Sequence, residues 1–302
     1  MGLKTVVLNS ERMNYDGKLD LSVLSSEVKE YASTEQDQIL ERVQGMDVVV
    51  TKEMPVDGDT IARFPDSVQL ICEAGTGYNN IDIEAARARG ITVCNIPAYS
   101  TERVAHTAIM MILNLSSMQI QQAMLARGDR SNFTKCMQVS HVEVNGKVLG
   151  VVGAGTIGRE VIKVAQALGM KVLAYTRTPR ADEDNLKYVS LEELLKQSDY
   201  ISLHCPLTPQ TRHMINKETI AMMKPTAYII NTGRGALIDE PALIEALKEG
   251  RIAGAGLDVQ ETEPPVQDNP LYDMPNVILT PHMGWKGLET RQRLVSILAA
   301  NI

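Results

Sequence analysis

The stretch Val148-Leu149-Gly150-Val151-Val152-Gly153-Ala154-Gly155-Thr156-Ile157-Gly158-Arg159-Glu160 decides the fold. An apolar run leads into three glycines spaced G-x-G-x-x-G, and an amphipathic helical pattern over Arg159–Leu168 follows. Each glycine meets its own steric demand. Gly153 permits a tight turn, Gly155 lets backbone approach a pyrophosphate, and Gly158 lets the helix pack close to the strand. The start of the helix offers unpaired N–H groups and a partial positive charge, which together hold phosphate. A glycine turn used only for packing is the bland alternative. The strand before and helix after the turn favour a dinucleotide site at Gly153, Gly155 and Gly158.

The next expected strand, Lys171–Tyr175, refines this. In such units an acid at the strand end accepts the ribose hydroxyls. Here Thr176 and Arg177 follow instead, with Arg180 close behind. Without a carboxylate there is no repulsion against a 2′-phosphate, and Arg177 matches its charge. The reading favours NADP over NAD, with solvated loop arginines as the bland alternative.

Working outward, short β-branched runs such as Thr5–Leu8, Val48–Thr51, Leu70–Cys72, Tyr200–Leu203, Ala227–Asn231, Gly254–Val259 and Val277–Thr280 alternate with helical segments such as Asp82–Arg89 and Pro241–Glu249. That alternation predicts an α/β protein with doubly wound parallel sheets covered on both faces. One βα series runs from Met1 to about Tyr99 and a second from about Val148 to Thr280. A long helix from Thr101 carries the chain between them. The polar segment Gln119–Asn145 reads as a helix plus an excursion.

Bulk properties exclude several classes. A net charge of −7 and 4% aromatic residues leave neither a basic face nor stacking platforms for nucleic acid. No apolar run approaches a membrane span, and the N-terminus lacks the apolar core of a signal peptide. Cys72, Cys94, Cys136 and Cys205 are widely separated, and no pair has metal-ligand or redox-motif spacing. They are expected to be reduced and mostly buried, in the cytoplasm. No metal site is expected.

Three further segments carry chemistry. Ile229–Asp239 ends an apolar strand at an arginine, Arg234, flanked by Gly233 and Gly235, which are read as clearing space around the guanidinium. Gly256–Pro265 turns from a strand into an acid- and proline-rich loop containing Glu263, and Leu279–Trp285 ends a strand at His282. Alone, each of these residues reads as a surface charge or a loop residue. At successive strand ends, downstream of a dinucleotide turn, they form a reaction set. Arg234 would hold a carboxylate and polarise a neighbouring ketone. His282 would donate a proton as hydride arrives, and Glu263 would set the imidazole tautomer. The predicted substrate is a small 2-keto acid.

These motifs, with His204-Cys205-Pro206-Leu207-Thr208, Ala74–Asp82 and Gly90–Pro97, resemble the D-isomer-specific 2-hydroxyacid dehydrogenases over nearly the whole chain. The resemblance implies two similar lobes with a cleft between them. One is a flavodoxin-like substrate lobe, residues 1–99 rejoined by 286–302; the other is a Rossmann cofactor lobe, residues 100–285. It implies Arg234, Glu263 and His282 as the catalytic set, and substrate contacts at Gly75, Thr76, Gly77 and Arg234. Further cofactor contacts are implied at Thr76, Thr156, Ile157, Thr176, Cys205, Thr232, Asp258 and His282. It also implies a homodimer through the cofactor lobe, involving the Ser116–Val144 excursion.

The Gly75–Asn80 loop and Trp285 look most like the glycerate dehydrogenases, or hydroxypyruvate reductases, which implies hydroxypyruvate or glyoxylate as substrate and a D-2-hydroxy acid as product. Phosphoglycerate dehydrogenases share the pattern but often carry an added regulatory domain, for which this chain is short. Dinucleotide-sensing corepressors of the same fold also keep the trio, but they carry extra tails. Formate oxidation would favour a Gln partner for the histidine. Three departures stand out. Thr176 replaces the usual acid. Val104-Ala105-His106-Thr107 differs from the family's pattern, so His106 is read as a helix-packing residue. The chain ends at Ile302, inside the expected last helix, where relatives run slightly further.

Overall fold

The computed structural model describes residues 2–128, 141–178 and 180–302. The chain divides into two compact units, Met1–Ser100 with Trp285–Ile302, and Thr101–Gly284.

The first unit holds β1 (Lys4–Val7), β2 (Glu27–Glu30), β3 (Val48–Thr51), β4 (Leu70–Glu73) and β5 (Thr92–Cys94). They pair in the order β2-β1-β3-β4-β5, all parallel. This is the flavodoxin-like order. Val48, Val49 and Val50 are all buried, as a strand covered on both faces requires. One face packs Val6, Leu8, Val49 and Ile71 against Ile39, Ile61 and Ala86 from the connecting helices. The last helix, Leu288–Asn301, buries Leu294 and Leu298. Its Arg291, 1% exposed, donates to both Asp16 carboxylate oxygens at 2.8 and 2.7 Å and to the Met13 carbonyl at 3.0 Å.

The second unit holds β6 (Val148–Val152), β7 (Lys171–Tyr175), β8 (Leu186–Tyr188), β9 (Tyr200–Leu203), β10 (Tyr228–Asn231), β11 (Gly254–Leu257) and β12 (Val277–Leu279). The order is β12-β11-β10-β9-β6-β7-β8, again all parallel. Counted from β6 this is the dinucleotide-binding order with one added edge strand. Side chains alternate between two cores, one per face. Val152, Leu173, Ile201, Leu203 and Ile229 meet Leu194, Leu195, Leu243 and Leu247. Leu149, Val151, Val172, Ala174 and Ile230 meet Ala105, Ala108, Ile112, Val161 and Ile162. The sheet is therefore covered on both sides by helices whose apolar stripes recur at helical spacing.

Two strands, β2 and β8, escape the sequence pattern, and both are sheet edges. The Glu27–Glu30 segment, EVKE, is almost wholly exposed, so its pairing to β1 is backbone work that leaves no apolar alternation to read. His106 corrects an expectation. It is exposed, not packed, because the inward stripe of Thr101–Ser117 takes Ala105, Ala108, Met111 and Ile112 and turns positions 102, 106, 110 and 113 outward. Among the described residues, no helix is long and apolar enough to cross a membrane.

Candidate active site

The sheet order of the second unit reverses between β6 and β9, where strands β7–β8 and β9–β12 lie to either side. Ligands of such sheets sit beyond the strand ends at that point. There Gly153 adopts φ +100°, and a Cβ on it would lie 2.6 Å from the Cys205 backbone nitrogen. Gly158 packs as tightly from below: its Cβ would fall 2.0 Å from the Gly153 carbonyl oxygen. Gly155 faces open space and begins the helix Thr156–Ala167 with no side-chain cap. The first helical N–H groups, at Thr156 and Ile157, therefore remain for an anion. At the end of β10 the Thr232 hydroxyl is buried without a hydrogen-bond partner among the described residues. An orphaned buried donor past the end of β10, two strands along the same sheet from the uncapped helix start that follows β6, fits a bound dinucleotide, which would satisfy both.

Past β7, Thr176 donates its hydroxyl to the Thr178 carbonyl at 2.7 Å, which shapes a tight polar turn. The side chains of Arg177 and Arg180 are exposed. Cys205, packed against Met214 with sulfurs 3.6 Å apart, has its thiol pushed up to about 11 by burial. The neighbouring His204 ring bonds the Ser202 hydroxyl at 2.8 Å and is held down to about 4 by burial.

The ends of β10, β11 and β12 are neighbours in one sheet, with Asn231, Leu257 and Leu279 in register. Arg234, Asp258 and His282 follow these ends by one to three residues and share one rim. Arg234 sits in an extended conformation before the short helix Gly235–Leu237, with Nη1 on the Gly233 carbonyl at 2.9 Å. Asn231 braces the turn, accepting from Gly233 N–H at 3.0 Å and donating to the Arg234 carbonyl at 2.9 Å. The structure revises the role of the flanking glycine. A Cβ on Gly235 would fall 1.9 Å from the Gln260 carbonyl carbon, so Gly235 permits backbone to meet backbone rather than clearing room for the guanidinium.

Glu263 and His282, 19 residues apart in sequence, meet: Oε2 lies 2.8 Å from Nδ1. The other carboxylate oxygen accepts the Gln260 N–H at 3.0 Å, which aims the acid at the ring. The nearby Glu261 takes a different path and pairs with His213 at 2.6 Å. His282 itself adopts φ +48°, a left-handed conformation costing roughly 1–2 kcal/mol. Asp258, 2% exposed, holds it there. Its carbonyl accepts the His282 N–H at 2.8 Å. Its carboxylate accepts from the Thr280 hydroxyl at 2.6 Å, Met283 N–H at 2.9 Å and Gly284 N–H at 2.7 Å. This bracing function of Asp258 and Thr280 is invisible in sequence, because it depends on β11 and β12 lying side by side.

In the first unit, Gly75-Thr76-Gly77 leave the end of β4. The Gly75 carbonyl accepts Ile96 N–H at 2.9 Å, the Thr76 hydroxyl donates to the Ile96 carbonyl at 3.1 Å, and Asn95 Nδ2 donates to the Thr76 carbonyl at 2.6 Å. Sequence reading missed what lies beneath this loop. Lys52, 1% exposed, pairs with Glu53 at 2.6 Å and sits 4.2 Å over the Trp285 ring. A Cβ on Gly75 would come within 3.2 Å of its Nζ and 3.0 Å of a Glu73 carboxylate oxygen. Glu73, fully buried, accepts from Thr51, Asn80 and the Glu53 N–H, while burial pushes its carboxyl above the usual range. A lysine closing the run Val48–Lys52 was the available hint.

Residues 109–284 match the family model described as D-isomer specific 2-hydroxyacid dehydrogenase, NAD binding domain. The chain is 40% identical over 274 residues to a hydroxypyruvate reductase of Blautia hydrogenotrophica, covering 89% of this chain and 85% of that one. It is 41% identical over 284 residues to a glycerate dehydrogenase of Methylorubrum extorquens, covering 91% and 88%. Among solved structures it resembles a glyoxylate reductase from Paecilomyes thermophila, with a TM-score of 0.86 and 33% identity over 99% of this chain and 94% of that one. With a family match that takes in the glycine turn, Arg234, Glu263 and His282, and relatives of about this identity along most of its length, the chain belongs to the D-isomer specific 2-hydroxyacid dehydrogenase family.

Proposed function

We propose that this oxidoreductase reduces a small 2-keto acid of the hydroxypyruvate and glyoxylate class to its D-2-hydroxy acid, with Arg234, Glu263 and His282 as the catalytic set. The observation that carries the assignment is the Glu263–His282 pair at 2.8 Å, on the rim that also bears Arg234. A bound nicotinamide dinucleotide supplies the hydride. Arg234 holds the substrate carboxylate through its planar fork and polarises the adjacent ketone. With Nδ1 engaged by Glu263, proton donation to the ketone oxygen falls to Nε2 of His282. Asp258 and Thr280 keep the His282 backbone in its left-handed conformation, so orientation does not have to be found during each turnover. In the first unit, the backbone of Gly75, Thr76 and Gly77 contacts the substrate.

The dinucleotide is assigned to Gly153, Gly155, Thr156, Ile157 and Gly158 for the pyrophosphate. Thr176 and Arg177 take the adenine ribose end, and Thr76, Cys205, Thr232, Asp258 and His282 the remainder. We infer a preference for NADP. It is supported by the hydroxyl turn at Thr176, where an acid would repel a 2′-phosphate, and by the exposed Arg177 beside it. A homodimer through the second unit is supported by exposed Met110, Leu113, Ile120 and Met124 near the Ser116–Val144 excursion, of which residues 129–140 lie outside the described residues.

The deciding experiment follows loss of reduced-cofactor absorbance with hydroxypyruvate, glyoxylate and larger 2-keto acids, using NADPH and NADH in turn. Turnover with none of them overturns the assignment. His282→Ala is expected to lower kcat by about 10²–10⁴-fold with dinucleotide affinity kept. Thr176→Asp is expected to move the NADPH/NADH ratio towards NADH, and an unchanged ratio rejects the ribose-site argument.

A further inference from the structure

Cys72 and Cys94, 22 residues apart, are register partners on the adjacent parallel strands β4 and β5. Their sulfurs lie 3.1 Å apart. Neighbouring strands run about 4.8 Å apart, within the Cα range a disulfide spans, so joining the sulfurs needs only about 1 Å of side-chain movement and no slip of either strand. Both strands belong to the first unit, and β5 is one of the two edges of its sheet.

The two thiols differ in kind. Cys72 is fully buried. Its hydrogen bond to Cys94, and then burial, push its own ionisation far up. Cys94 is partly exposed and lines a cavity of about 500 Å³ together with Tyr78, Arg87 and Asn95. Its sulfur shares a hydrogen bond with the Cys72 thiol and accepts, at 3.8 Å, from the Asn301 side-chain amide. These contacts hold the Cys94 thiol below its ordinary ionisation range, the Cys72 contact contributing most. One sulfur is thus accessible and biased towards thiolate, while the second waits directly behind it. That is the arrangement of a reactive thiol and its resolving partner.

We propose that Cys94 is a peroxide-reactive thiol and that Cys72 resolves it, closing a reversible disulfide across β4 and β5. Cys94 thiolate attacks one oxygen of hydrogen peroxide, an S–O bond forms as the O–O bond breaks, and the departing hydroxide takes up the proton the Cys94 thiol released, giving the sulfenic acid and one water. The Cys72 thiol then attacks the Cys94 sulfur, the S–S bond forms, the S–O bond breaks, and a second water leaves. In sum one peroxide is reduced and two thiols lose two electrons, and a dithiol reductant reverses the change.

The crosslink has a route to the neighbouring loop. Gly75 follows Cys72 by three residues, and Asn95 and Ile96, which follow Cys94, make three hydrogen bonds to Gly75 and Thr76. Resting on the reading of Gly75–Gly77 as the keto-acid loop, oxidation raises KM for the keto acid at least severalfold.

The test treats the reduced full-length protein with stoichiometric hydrogen peroxide and maps its peptides by mass spectrometry without reduction. The expected product is a linked peptide pair containing Cys72 and Cys94 that a dithiol releases, with Cys205 still a thiol. In Cys72→Ser the sulfenic acid persists on Cys94 and is trapped by dimedone; in Cys94→Ser position 72 stays unreacted. Oxidation of Cys205 ahead of the pair, or trapping at Cys72 in the Cys94→Ser protein, overturns the proposal. An unchanged keto-acid KM in the crosslinked protein overturns its coupling to the loop. Absence of keto-acid turnover before oxidation overturns only the assigned reaction, since the peptide map reports the thiol chemistry without it.

Discussion

At the scale of single residues, the rim of the second unit is built from side chains whose ordinary preferences are overridden by neighbours. Gly235 is the clearest case. The space its Cβ would occupy is filled by the Gln260 carbonyl at 1.9 Å, and the obstacle is backbone, which cannot rotate away. Gly235→Ala is therefore expected to displace the Arg234 turn from the Glu263 loop. A loss of about 10²-fold in kcat/KM, the scale associated with roughly 1 Å of misplacement, is the expected result, measured alongside Tm to separate misplacement from unfolding. His204 offers a test without turnover. Burial holds its folded value near 4, below the unfolded value of 6.5, so the ring is neutral at pH 7. As pH falls from about 6.5 to about 4 the unfolded chain takes up a proton that the folded chain refuses, and stability declines through that window. An NMR titration of the imidazole should place the midpoint near 4; a midpoint near 6.5 rejects the burial argument.

Among elements, the last helix illustrates how one contact ties distant stretches of chain. Leu288–Asn301 is only weakly amphipathic along its length, yet Arg291 reaches the turn after Glu11–Asn14, forks onto Asp16 and stacks at 4.4 Å on Tyr15. The hydrogen bond from Arg291 is the main reason the Asp16 carboxyl is lowered to about 2. Its folded value lies below the unfolded one, so the stabilisation is complete above about pH 4 and is lost as pH falls through about 2. Asp16→Asn should flatten the pH dependence of Tm across that acid range. Arg291→Met should lower Tm at neutral pH by an amount on the order of 5 °C, read by calorimetry. Unchanged transitions in both variants would leave the helix held by Leu294 and Leu298 alone.

For the whole molecule, the two units differ in how the chain builds them. Thr101–Gly284 is continuous and encloses both of its own cores, whereas the first unit needs residues 1–100 and 285–302 together. A fragment of residues 101–284 should therefore fold with a cooperative thermal transition and bind a nicotinamide dinucleotide by calorimetric titration. Gly153→Ala in that fragment should abolish binding, because its Cβ meets the Cys205 nitrogen at 2.6 Å. A fragment that lacks a cooperative transition contradicts the independence of the two cores. Residues 1–100 alone, missing the buried Trp285, Leu294 and Leu298, should not reach a native state.

The amino-acid order alone determined the fold class and the dinucleotide turn. Strand burial, helical periodicity and glycine spacing are local patterns, and a local pattern reads directly from neighbouring residues. It also placed Arg234, Glu263 and His282 at strand ends, since a strand end is again a local event. Tertiary structure decided what depends on lateral pairing. It brought β11 beside β12, so that Asp258 braces His282, and β4 beside β5, so that two cysteines with no recognisable spacing touch. It also buried Lys52 and paired the polar edge β2, where backbone hydrogen bonds carry the contact and side chains leave little trace. Which strand lies beside which is fixed only when the whole sheet has packed, and the chemistry of the rim follows from that adjacency.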